Sequence, residues 1–384
     1  MEGKPHHLWP DLSLDDRSRL DFMKSYRRFV TGELQPINRD VYERRVEPAF
    51  ARANGAPPAS KQQVRKAMVE DPFFAFYASA RRSGQELMWQ YCLAPAEREL
   101  PELKEACEQL PEVGGSLTVD PAFEPPLYVA SIHIHCMPGG YLLERGPGDV
   151  TAGAFYDLGN DVYTMGHLGP LQDMFGRTTS GYVRRTWPER SFERILDMGC
   201  TIGLSTLPYK SAYPEAEVHG IDVGAPVLRY ADARARSLGV AAHFSQQNAE
   251  RTNFEDASFD LIVSHILLHE TSGGAIRNIF RECHRLLKPG GIMLHVDMLS
   301  YGGMDSFDQF MFDNETFYNN EPFWASFRGL DQLELAKEAG FGAEDVRIEH
   351  FSNALAEQVQ KTGSSTAAKA PPKSGFQMLI GTRR

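Results

Sequence analysis

A short apolar run that ends in a glycine-framed loop is the part of this chain whose residue types most clearly predict chemistry. Residues 195–203 have the sequence ILDMGCTIG, with Gly199 and Gly203 on either side of the loop. Glycine permits a tight turn and a close approach of the backbone to a ligand. A helix that begins after Gly203 would also offer free N–H groups to an anionic group. The segment predicts a ligand-binding turn, although the same spacing occurs in strand–helix turns that bind nothing.

Polar residues follow the next two predicted strands. Asp222 closes the strand EVHGIDV, where a carboxylate can accept hydrogen bonds from ribose hydroxyls. Asn248, Ala249 and Glu250 follow the strand AAHFSQQ, and FDLIVSH predicts a further buried strand. The alternation of strands and helices indicates a parallel sheet, in which these polar residues would lie at the carboxyl ends of the strands.

The order of these segments resembles the class I S-adenosylmethionine-dependent methyltransferases, in particular the small-molecule branch that includes the ubiquinone and menaquinone methyltransferases. ILDMGCTIG is similar to the first motif of that family, with Thr201 where its middle glycine often stands. FDLIVSHILLHE and RLLKPGG are similar to its fourth strand and to the stop before its fifth. The resemblance covers residues 190–300 well and 330–384 loosely. A dinucleotide oxidoreductase, the main alternative for such a sheet, would require G-x-G-x-x-G, which the chain lacks.

The resemblance implies that S-adenosylmethionine is the cofactor and S-adenosylhomocysteine the product. The residues implied around its methionine part are Asp197, Gly199, Cys200 and Gly203. Asp222 would hold the ribose, and the carbonyl of Ser264 or His265 would lie near the methionine ammonium. The residues implied around the adenine are Val223, Asn248 and Ala249. Asn248 stands where the family often has aspartate, but asparagine can also accept a hydrogen bond.

A second resemblance concerns residues 155–163, FYDLGNDVY. This segment is similar to the lid of the cyclopropane fatty acid synthases, which are also class I enzymes and place the tyrosine over the cofactor. The resemblance implies that Tyr156, and secondarily Tyr163, closes the cofactor site; the alternative is the start of a helix without a ligand. The Glu-His pair that follows the fourth strand in those enzymes is reversed here, as His269-Glu270. Since the sequence has no basic amphipathic surface, a lipid substrate is not expected.

Three side chains after the fourth predicted strand are candidates for acid–base catalysis, namely His265, His269 and Glu270. A base is needed when the methyl acceptor still holds its proton at neutral pH, as phenols, alcohols and ammonium groups do. Histidine suits this role because its ordinary pKa is near neutrality, although His269 could equally pack or cap. Asp297, at the end of the fifth predicted strand, is expected to point towards the cleft.

His133 and His135 lie two residues apart in a predicted strand, so alternation would place both imidazoles on one face. With the histidines after the fourth strand they could hold a metal ion. The favoured alternative is a pair of hydrogen-bonded histidines on a half-buried strand. Residues 265–270 are expected to form a loop before a helix capped by Thr271 or Ser272, which removes the helical spacing of a metal pair. A metal is therefore not expected.

The elements that must position these groups divide the chain into three parts. Residues 191–384 predict an α/β domain with a Rossmann-like, doubly wound sheet of seven strands, because apolar runs alternate with helical segments. Residues 1–115 predict a mainly helical N-terminal domain. Its helix starts are expected at Ser13, Asp40 and Asp71. Residues 116–190 predict a strand or hairpin, followed by a connecting region that carries the cofactor lid.

Residues 299–330, which follow the fifth predicted strand of this sheet, contain nine aromatic side chains. An apolar insertion at this place would cover the pocket of a small organic acceptor. Packing against the N-terminal helices or an oligomer interface would explain the same composition. A homodimer through the N-terminal helices or through this aromatic insertion is therefore one expectation.

Composition restricts the partners of the protein. Forty basic and 51 acidic residues give a net charge of −11, which excludes a protein that coats nucleic acid. No apolar run approaches the roughly 20 residues that span a bilayer, and the N-terminus has no apolar signal segment. The five cysteines lie far apart, which is typical of a reducing, cytoplasmic location.

These observations predict a methyltransferase that moves a methyl group to an oxygen or nitrogen of a small apolar or aromatic molecule, as in secondary metabolism. The alternatives are a C-methyltransferase, an enzyme that uses the same cofactor without methyl transfer, and a metal-assisted methyltransferase that uses His133 and His135. A binding module that has lost activity is disfavoured, because both the glycine loop and the acidic loop are intact.

Overall fold

The structure, a computed structural model, describes residues 4–351 and 375–384. The sequence predicts a flexible loop over KTGSSTAAKAPPKSG, which begins at Lys361, and residues 361–374 of this stretch lie outside the described residues. The strands are β1 Ser116–Thr118, β2 Arg194–Met198, β3 Glu217–Asp222, β4 His243–Gln246, β5 Phe259–His265, β6 Leu287–Met298, β7 Val346–Phe351 and β8 Phe376–Thr382.

These strands form a single sheet with the order β1-β4-β3-β2-β5-β6-β8-β7. Neighbouring strands are parallel except at β8, which is antiparallel to both β6 and β7. The predicted doubly wound α/β architecture is confirmed. The predicted number of seven strands was too low, because Ser116 pairs with His243 and adds β1 as an eighth strand at the edge.

The helices before β2 are α1 Leu14–Phe29, α2 Gln35–Val41, α3 Glu47–Asn54, α4 Lys61–Met68, α5 Pro72–Arg98, α6 Leu100–Gln109, α7 Leu127–Ala130, α8 Thr151–Tyr163 and α9 Met174–Thr186. Those after it are α10 Thr206–Ala212, α11 Ala225–Ser237, α12 Gly273–Leu286, α13 Ser306–Phe312, α14 Asn314–Tyr318, α15 Trp324–Arg328 and α16 Gln332–Glu338. The predicted helical N-terminal region is therefore present.

Helices α1 to α3 follow one another without a break, joined by π-helical turns at Val30–Leu34 and Tyr42–Val46. Each turn comes just before a proline, Pro36 or Pro48. A proline ring clashes with the carbonyl four residues earlier, and a widened turn relieves that clash. Asp40 was wrongly expected to begin a helix, since it lies inside α2.

The other two predicted helix starts are confirmed. The Ser13 side chain accepts a hydrogen bond from the backbone N–H of Asp16, whose carboxylate in turn accepts from the backbone of Ser13. The Asp71 side chain accepts from the backbone N–H groups of Phe73 and Phe74. Both caps satisfy donors that the first helical turn leaves unpaired.

The segment that was expected to connect the two domains contains two 13-residue helices, α8 and α9. The two glycines of α8 allow neighbouring aromatic side chains to approach it closely. A Cβ at Gly153 would overlap the ring of Tyr230 in α11, and one at Gly159 would overlap Trp89 in α5. Helix α8 therefore packs closely between α5 and α11.

The predicted strand over residues 127–136 was wrong. Residues Leu127–Ala130 form the short helix α7, and Ile134–Cys136 form a 3-10 turn in which His135 has a φ of 57°. The two prolines at 125 and 126 cannot donate to a strand ladder, which outweighs the alternation of side chains after them. His133 and His135 consequently do not share one face of a strand.

Both faces of the sheet are covered. Apolar side chains of β2, β5 and β6 pack against α12 and α16 on one face and against α9 on the other. A further cluster joins the N-terminal helices to α8 and α11, and another joins them to Phe307 and Phe310 of α13. Within the described ranges, no helix is both long and apolar enough to cross a membrane.

Candidate functional site

A cavity of about 210 Å³ lies where β2, β3 and β5 end, between the sheet, α8 and the aromatic insertion. A second cavity of about 180 Å³ adjoins it. Residues that line both are Tyr156, Asn160, Tyr163, Gly199, Thr201, His265, Ile266 and Met298. The two cavities therefore form one continuous candidate site at the carboxyl edge of the sheet.

The turn after β2 forms one wall of this site. Its backbone is left-handed at Gly199, with a φ of 71°, and at Thr201, with a φ of 44°. The N–H of Gly199 donates to the carbonyl of Ile221 at 2.8 Å, which anchors the turn to β3. A Cβ at Gly199 would lie 2.7 Å from Cδ1 of Leu267. The position therefore requires glycine for both its backbone conformation and its space.

Asp222, at the end of β3, presents a buried carboxylate to the larger cavity. Its Oδ2 accepts from the N–H of Thr201 at 3.0 Å, and its Oδ1 accepts from the N–H of Gly224 at 2.9 Å. Burial raises the pKa of Asp222 to about 6, with a contribution from the nearby carboxylate of Glu270, although the backbone N–H groups oppose the rise. Val223 lines the same cavity.

Asp197 and His265 lie side by side at the smaller cavity. The Asp197 carboxylate accepts from the hydroxyl of Thr206 at 2.6 Å and lies 3.7 Å from Nδ1 of His265. Nε2 of His265 is 2.9 Å from the hydroxyl of Thr179. Cys200 also lines this cavity, and burial raises the pKa of its thiol well above the ordinary value.

Four of the predicted cofactor residues lie outside the two cavity linings, namely Gly203, Asn248, Ala249 and Ser264. Oδ1 of Asn248 accepts from the N–H of Glu250 at 2.9 Å. The hydroxyl of Ser264 pairs with Nδ1 of His295 at 2.6 Å. Gly203 supports the turn, since a Cβ there would lie 3.3 Å from the ring of Phe244.

Tyr156, from α8, lines both cavities. Its ring is stacked on Trp89 with a centroid distance of 6.5 Å and contacts Tyr141 edge-on at 5.5 Å. Burial raises the pKa of its phenol, so the hydroxyl remains a hydrogen-bond donor at neutral pH. The structure thus brings the predicted lid tyrosine to the junction of the two cavities.

The buried imidazole of His269 lies between two carboxylates. Its Nδ1 is 2.6 Å from Oδ1 of Asp297, and its Nε2 is 3.3 Å from Oε2 of Glu321. Burial alone would lower the pKa of His269, but the two carboxylates outweigh it and hold that pKa well above 6.5. His269 is therefore a charged, fully partnered side chain.

Glu321 connects His269 to a second imidazole. Its Oε1 is 3.2 Å from Nδ1 of His135, whose Nε2 is 2.8 Å from Oε1 of Glu270. The Glu270 oxygen also accepts from the hydroxyl of Tyr141 at 3.1 Å. Burial would lower the pKa of His135, but Glu321 and Glu270 raise it well above 6.5. We call Asp297, His269, Glu321, His135 and Glu270 the carboxylate–imidazole chain.

The carboxylate–imidazole chain includes or contacts residues to which the sequence analysis gave no role. Glu321 and Tyr141 belong to no recognisable motif, and the only available signal for Glu321 was its place in the aromatic insertion. For His135 the sequence left a metal ligand and a hydrogen-bonded histidine as alternatives, with the second favoured, and in the structure both of its ring nitrogens pair with carboxylates. In residues 4–351 and 375–384, no group of three or more His, Cys, Asp or Glu side chains is arranged to hold a metal ion.

The aromatic insertion contacts both the cavity and the N-terminal helices. Trp324 and Glu321 line the larger cavity, and the Trp324 ring contacts His269 edge-on at 5.0 Å. Phe310 packs 5.2 Å from Phe74 of α5. One segment therefore closes the site and fastens it to the N-terminal helices.

Glu321→Gln is expected to destabilise the protein by about 3 kcal/mol, because it removes one charge from a buried set of ion pairs. Burial raises the pKa of Glu321, but the two imidazoles lower it to about 2. The stability that this carboxylate contributes is therefore fully present above pH 4.5, the ordinary pKa of glutamate, and is lost as the pH falls towards 2. The contribution of the two imidazoles is present below 6.5 and is lost as the pH rises through their raised pKa values.

Urea denaturation at several pH values measures the stability lost in Glu321→Gln. The loss should be greatest between pH 4.5 and pH 6.5, the ordinary pKa values of glutamate and histidine. Glu334→Gln is the control, because Glu334 forms an exposed ion pair with Lys337 that should contribute little. Equal unfolding midpoints for the two variants would contradict the assignment of buried charge to Glu321.

Comparison with known protein families gives a match between residues 195–291 and a model described as a methyltransferase domain. The chain is 29% identical over 145 residues to the ubiquinone biosynthesis O-methyltransferase of Sodalis glossinidius, which covers 37% of this chain and 53% of that protein. It is 35% identical over 100 residues to the protein of the same name from Pseudomonas aeruginosa, covering 26% of this chain and 41% of that protein. The chain thus spans about half or less of the curated relatives it matches.

Among solved structures, phosphoethanolamine N-methyltransferase 2 of Haemonchus contortus in complex with S-adenosyl-L-methionine is 19% identical. Its TM-score is 0.37, and the match covers 54% of this chain and 52% of that chain. The match to the methyltransferase domain model begins in β2 and contains the glycine turn. It confirms, over residues 195–291, the methyltransferase resemblance drawn from ILDMGCTIG.

Proposed function

We propose that this chain binds S-adenosylmethionine in the two adjoining cavities and transfers its methyl group to an oxygen or nitrogen of a small apolar or aromatic molecule. The observation that carries the proposal is that the glycine turn and Asp222 share one cavity with four members of the carboxylate–imidazole chain, namely His269, Glu321, His135 and Glu270. The relatives named ubiquinone biosynthesis O-methyltransferase favour oxygen as the acceptor atom.

The residues of the site fit the proposed cofactor. The Asp222 carboxylate is held by two backbone N–H groups and can accept hydrogen bonds from ribose hydroxyls. Asp197, Gly199 and Cys200 would surround the methionine part, and Tyr156 would cover it. Contacts of the cofactor with Val223, Gly203, Asn248, Ala249 and Ser264 stay predictions. When bound, S-adenosylmethionine supplies an activated methyl group on a positively charged sulfur.

The aromatic lining of the larger cavity would bind and orient the acceptor. Its rings belong to Trp89, Tyr128, Tyr141, Tyr156, Tyr163 and Trp324. Apolar walls of this kind exclude water and hold a small planar molecule by its faces. Positioning of the reacting atoms can supply a large part of the rate of such a transfer.

Glu270 is the proposed base that takes the proton of the acceptor. His135 and Tyr141 both pair with Oε1 of Glu270, which leaves Oε2 for that proton. His269 would act as a positioning residue, because both of its nitrogens are engaged by carboxylates. His265 lines the cavity beside Asp197 and would orient the cofactor or acceptor rather than remove a proton, since Thr179 engages its Nε2.

The carboxylate–imidazole chain also favours a second candidate function, C-methylation or a non-methylating reaction that uses the same cofactor. Reactions at carbon need removal of a poorly acidic proton, and a buried acid–base system serves that purpose. NMR of the acceptor converted with a 13C-methyl-labelled cofactor separates these reactions. The chemical shift of the labelled carbon shows whether it is bonded to oxygen, nitrogen or carbon, and a product without the label marks a non-methylating reaction.

Calorimetric titration with S-adenosylmethionine and S-adenosylhomocysteine tests the proposal. We expect both to bind with micromolar affinity at neutral pH and more weakly below about pH 6, where Asp222 takes up a proton and accepts hydrogen bonds less well. Asp222→Asn should bind weakly and independently of pH. The same affinity for wild type at about pH 5 and about pH 8 would contradict the role of Asp222.

A cytoplasmic location and a homodimer are further parts of the proposal. The five cysteines are all free, which supports a reducing compartment. Exposed phenylalanines on the N-terminal helices, Phe22, Phe29 and Phe76, support a contact between copies through α1 and α5. Sedimentation of the protein and of Phe22→Ser/Phe76→Ser tests the dimer.

A further inference from the structure

A groove of about 540 Å³ lies between α9, α10 and α11. Its lining shares no described residue with the larger cavity or the smaller cavity of the candidate site. Three arginines line it, Arg177, Arg184 and Arg234, against a single acidic side chain among the described residues, Asp173. In a chain of net charge −11, this concentration of positive charge is unexpected.

The charge of these arginines is poorly balanced. Arg234 is only 1% exposed, and its Nη2 donates to the carbonyl of Leu171 at 2.7 Å. Its Nε is buried without a hydrogen-bond partner among the described residues. Arg177 is 3.9 Å from Asp173, and Arg184 has no carboxylate within salt-bridge distance in the described part of the chain. A buried guanidinium without an anion is costly, so the groove is suited to receive one.

The remaining lining is divided between hydroxyls and apolar side chains. Ser180 and Ser211 donate only long hydrogen bonds of 3.3 Å to carbonyls of their own helices, so both hydroxyls can turn towards a ligand. Leu207, Leu238 and Val240 form an apolar wall on the side of α10 and α11. The groove therefore offers a cationic, hydrogen-bonding side and an apolar side.

We infer that this groove binds a small organic phosphate monoester, with the phosphate among the three arginines and the organic part against the apolar wall. One guanidinium group can donate two parallel hydrogen bonds to two oxygens of a phosphate. The charge of three guanidinium groups is balanced better by a phosphate dianion than by the charge of a single carboxylate. The hydroxyls of Ser180 and Ser211 would donate to the remaining oxygens. This site is separate from the proposed methyl transfer and does not depend on it.

Calorimetric titration with phenyl phosphate and with inorganic phosphate, at constant ionic strength, tests the inference. We expect the wild-type protein to bind phenyl phosphate, and inorganic phosphate more weakly because it lacks an apolar part. Arg177→Gln/Arg184→Gln should weaken phenyl phosphate binding at least about tenfold. Both side chains are exposed, so this variant should fold.

Arg28→Gln/Arg52→Gln is the matched control, since it removes the same charge from exposed positions on α1 and α3. It should bind phenyl phosphate as the wild type does, and all three proteins should bind S-adenosylmethionine equally. Three results would overturn the inference: no binding of phenyl phosphate by the wild type, equal binding by the two variants, or competition between phenyl phosphate and S-adenosylmethionine.

Discussion

Gly199→Val is expected to lower the affinity for S-adenosylmethionine by at least about 100-fold, which corresponds to about 2.7 kcal/mol. The added Cβ would lie 2.7 Å from Leu267, and the branched side chain would extend into the cavity. The φ of 71° adds a strain of about 1–2 kcal/mol for any residue other than glycine. Calorimetric titration measures the loss directly.

Gly239→Val is the control that separates two causes of lost affinity, a blocked cavity and backbone strain. Gly239 has a similar φ of 68°, but no described atom lies within 4 Å of the position that a Cβ would take there. The control should therefore be strained to a similar extent and bind the cofactor normally. Asp222→Ala should lose affinity to a similar degree as Gly199→Val, because it removes the acceptor for the ribose hydroxyls. Normal binding by both site variants would show that the cofactor is held elsewhere.

Glu270→Gln is expected to reduce turnover by about 10²–10⁴-fold, the usual contribution of a general base, without weakening cofactor binding. Glutamine keeps the shape of the side chain and can still accept from His135 and Tyr141, but it cannot take up the proton of the acceptor. The rate of S-adenosylhomocysteine formation measures turnover, with an acceptor found by screening phenols and amines.

Glu250→Gln is the matched control for Glu270→Gln. Glu250 also accepts from a tyrosine hydroxyl, that of Tyr128, at 3.0 Å, but it does not line the cavity. Its variant should keep full turnover. If Glu270→Gln were as active as the control, proton removal would belong to another group or would not be needed.

The part of the fold that could be predicted is the part encoded locally. Each strand from β2 onward is a short apolar run beside a turn or helix signal, which fixes the order of elements. A strand near residue 116 was predicted, but the place of β1 in the sheet was not, because it depends on pairing with His243, far along the chain. The sequence also did not predict that the helix continues through Asp40. Widened turns before Pro36 and Pro48 preserve it.

The residues of the candidate site also divide into those that local motifs predict and those that only long-range packing brings together. Gly199, Asp222 and Tyr156 follow from local motifs, and all three line the cavity. Glu321 pairs with His135 across 186 positions of sequence, and Tyr141 pairs with Glu270 across 129. The first contact joins the connecting region to the aromatic insertion and the second joins it to the turn after β5, so no local spacing could have predicted them.

The place of β8 in the sheet affects how the chain can fold during synthesis. Strand β8, Phe376–Thr382, lies between β6 and β7 and hydrogen-bonds to both. Until these residues leave the ribosome, β6 and β7 each have an unpaired edge, and such edges are prone to aggregation. The sheet can therefore be completed only after residue 382 has left the ribosome.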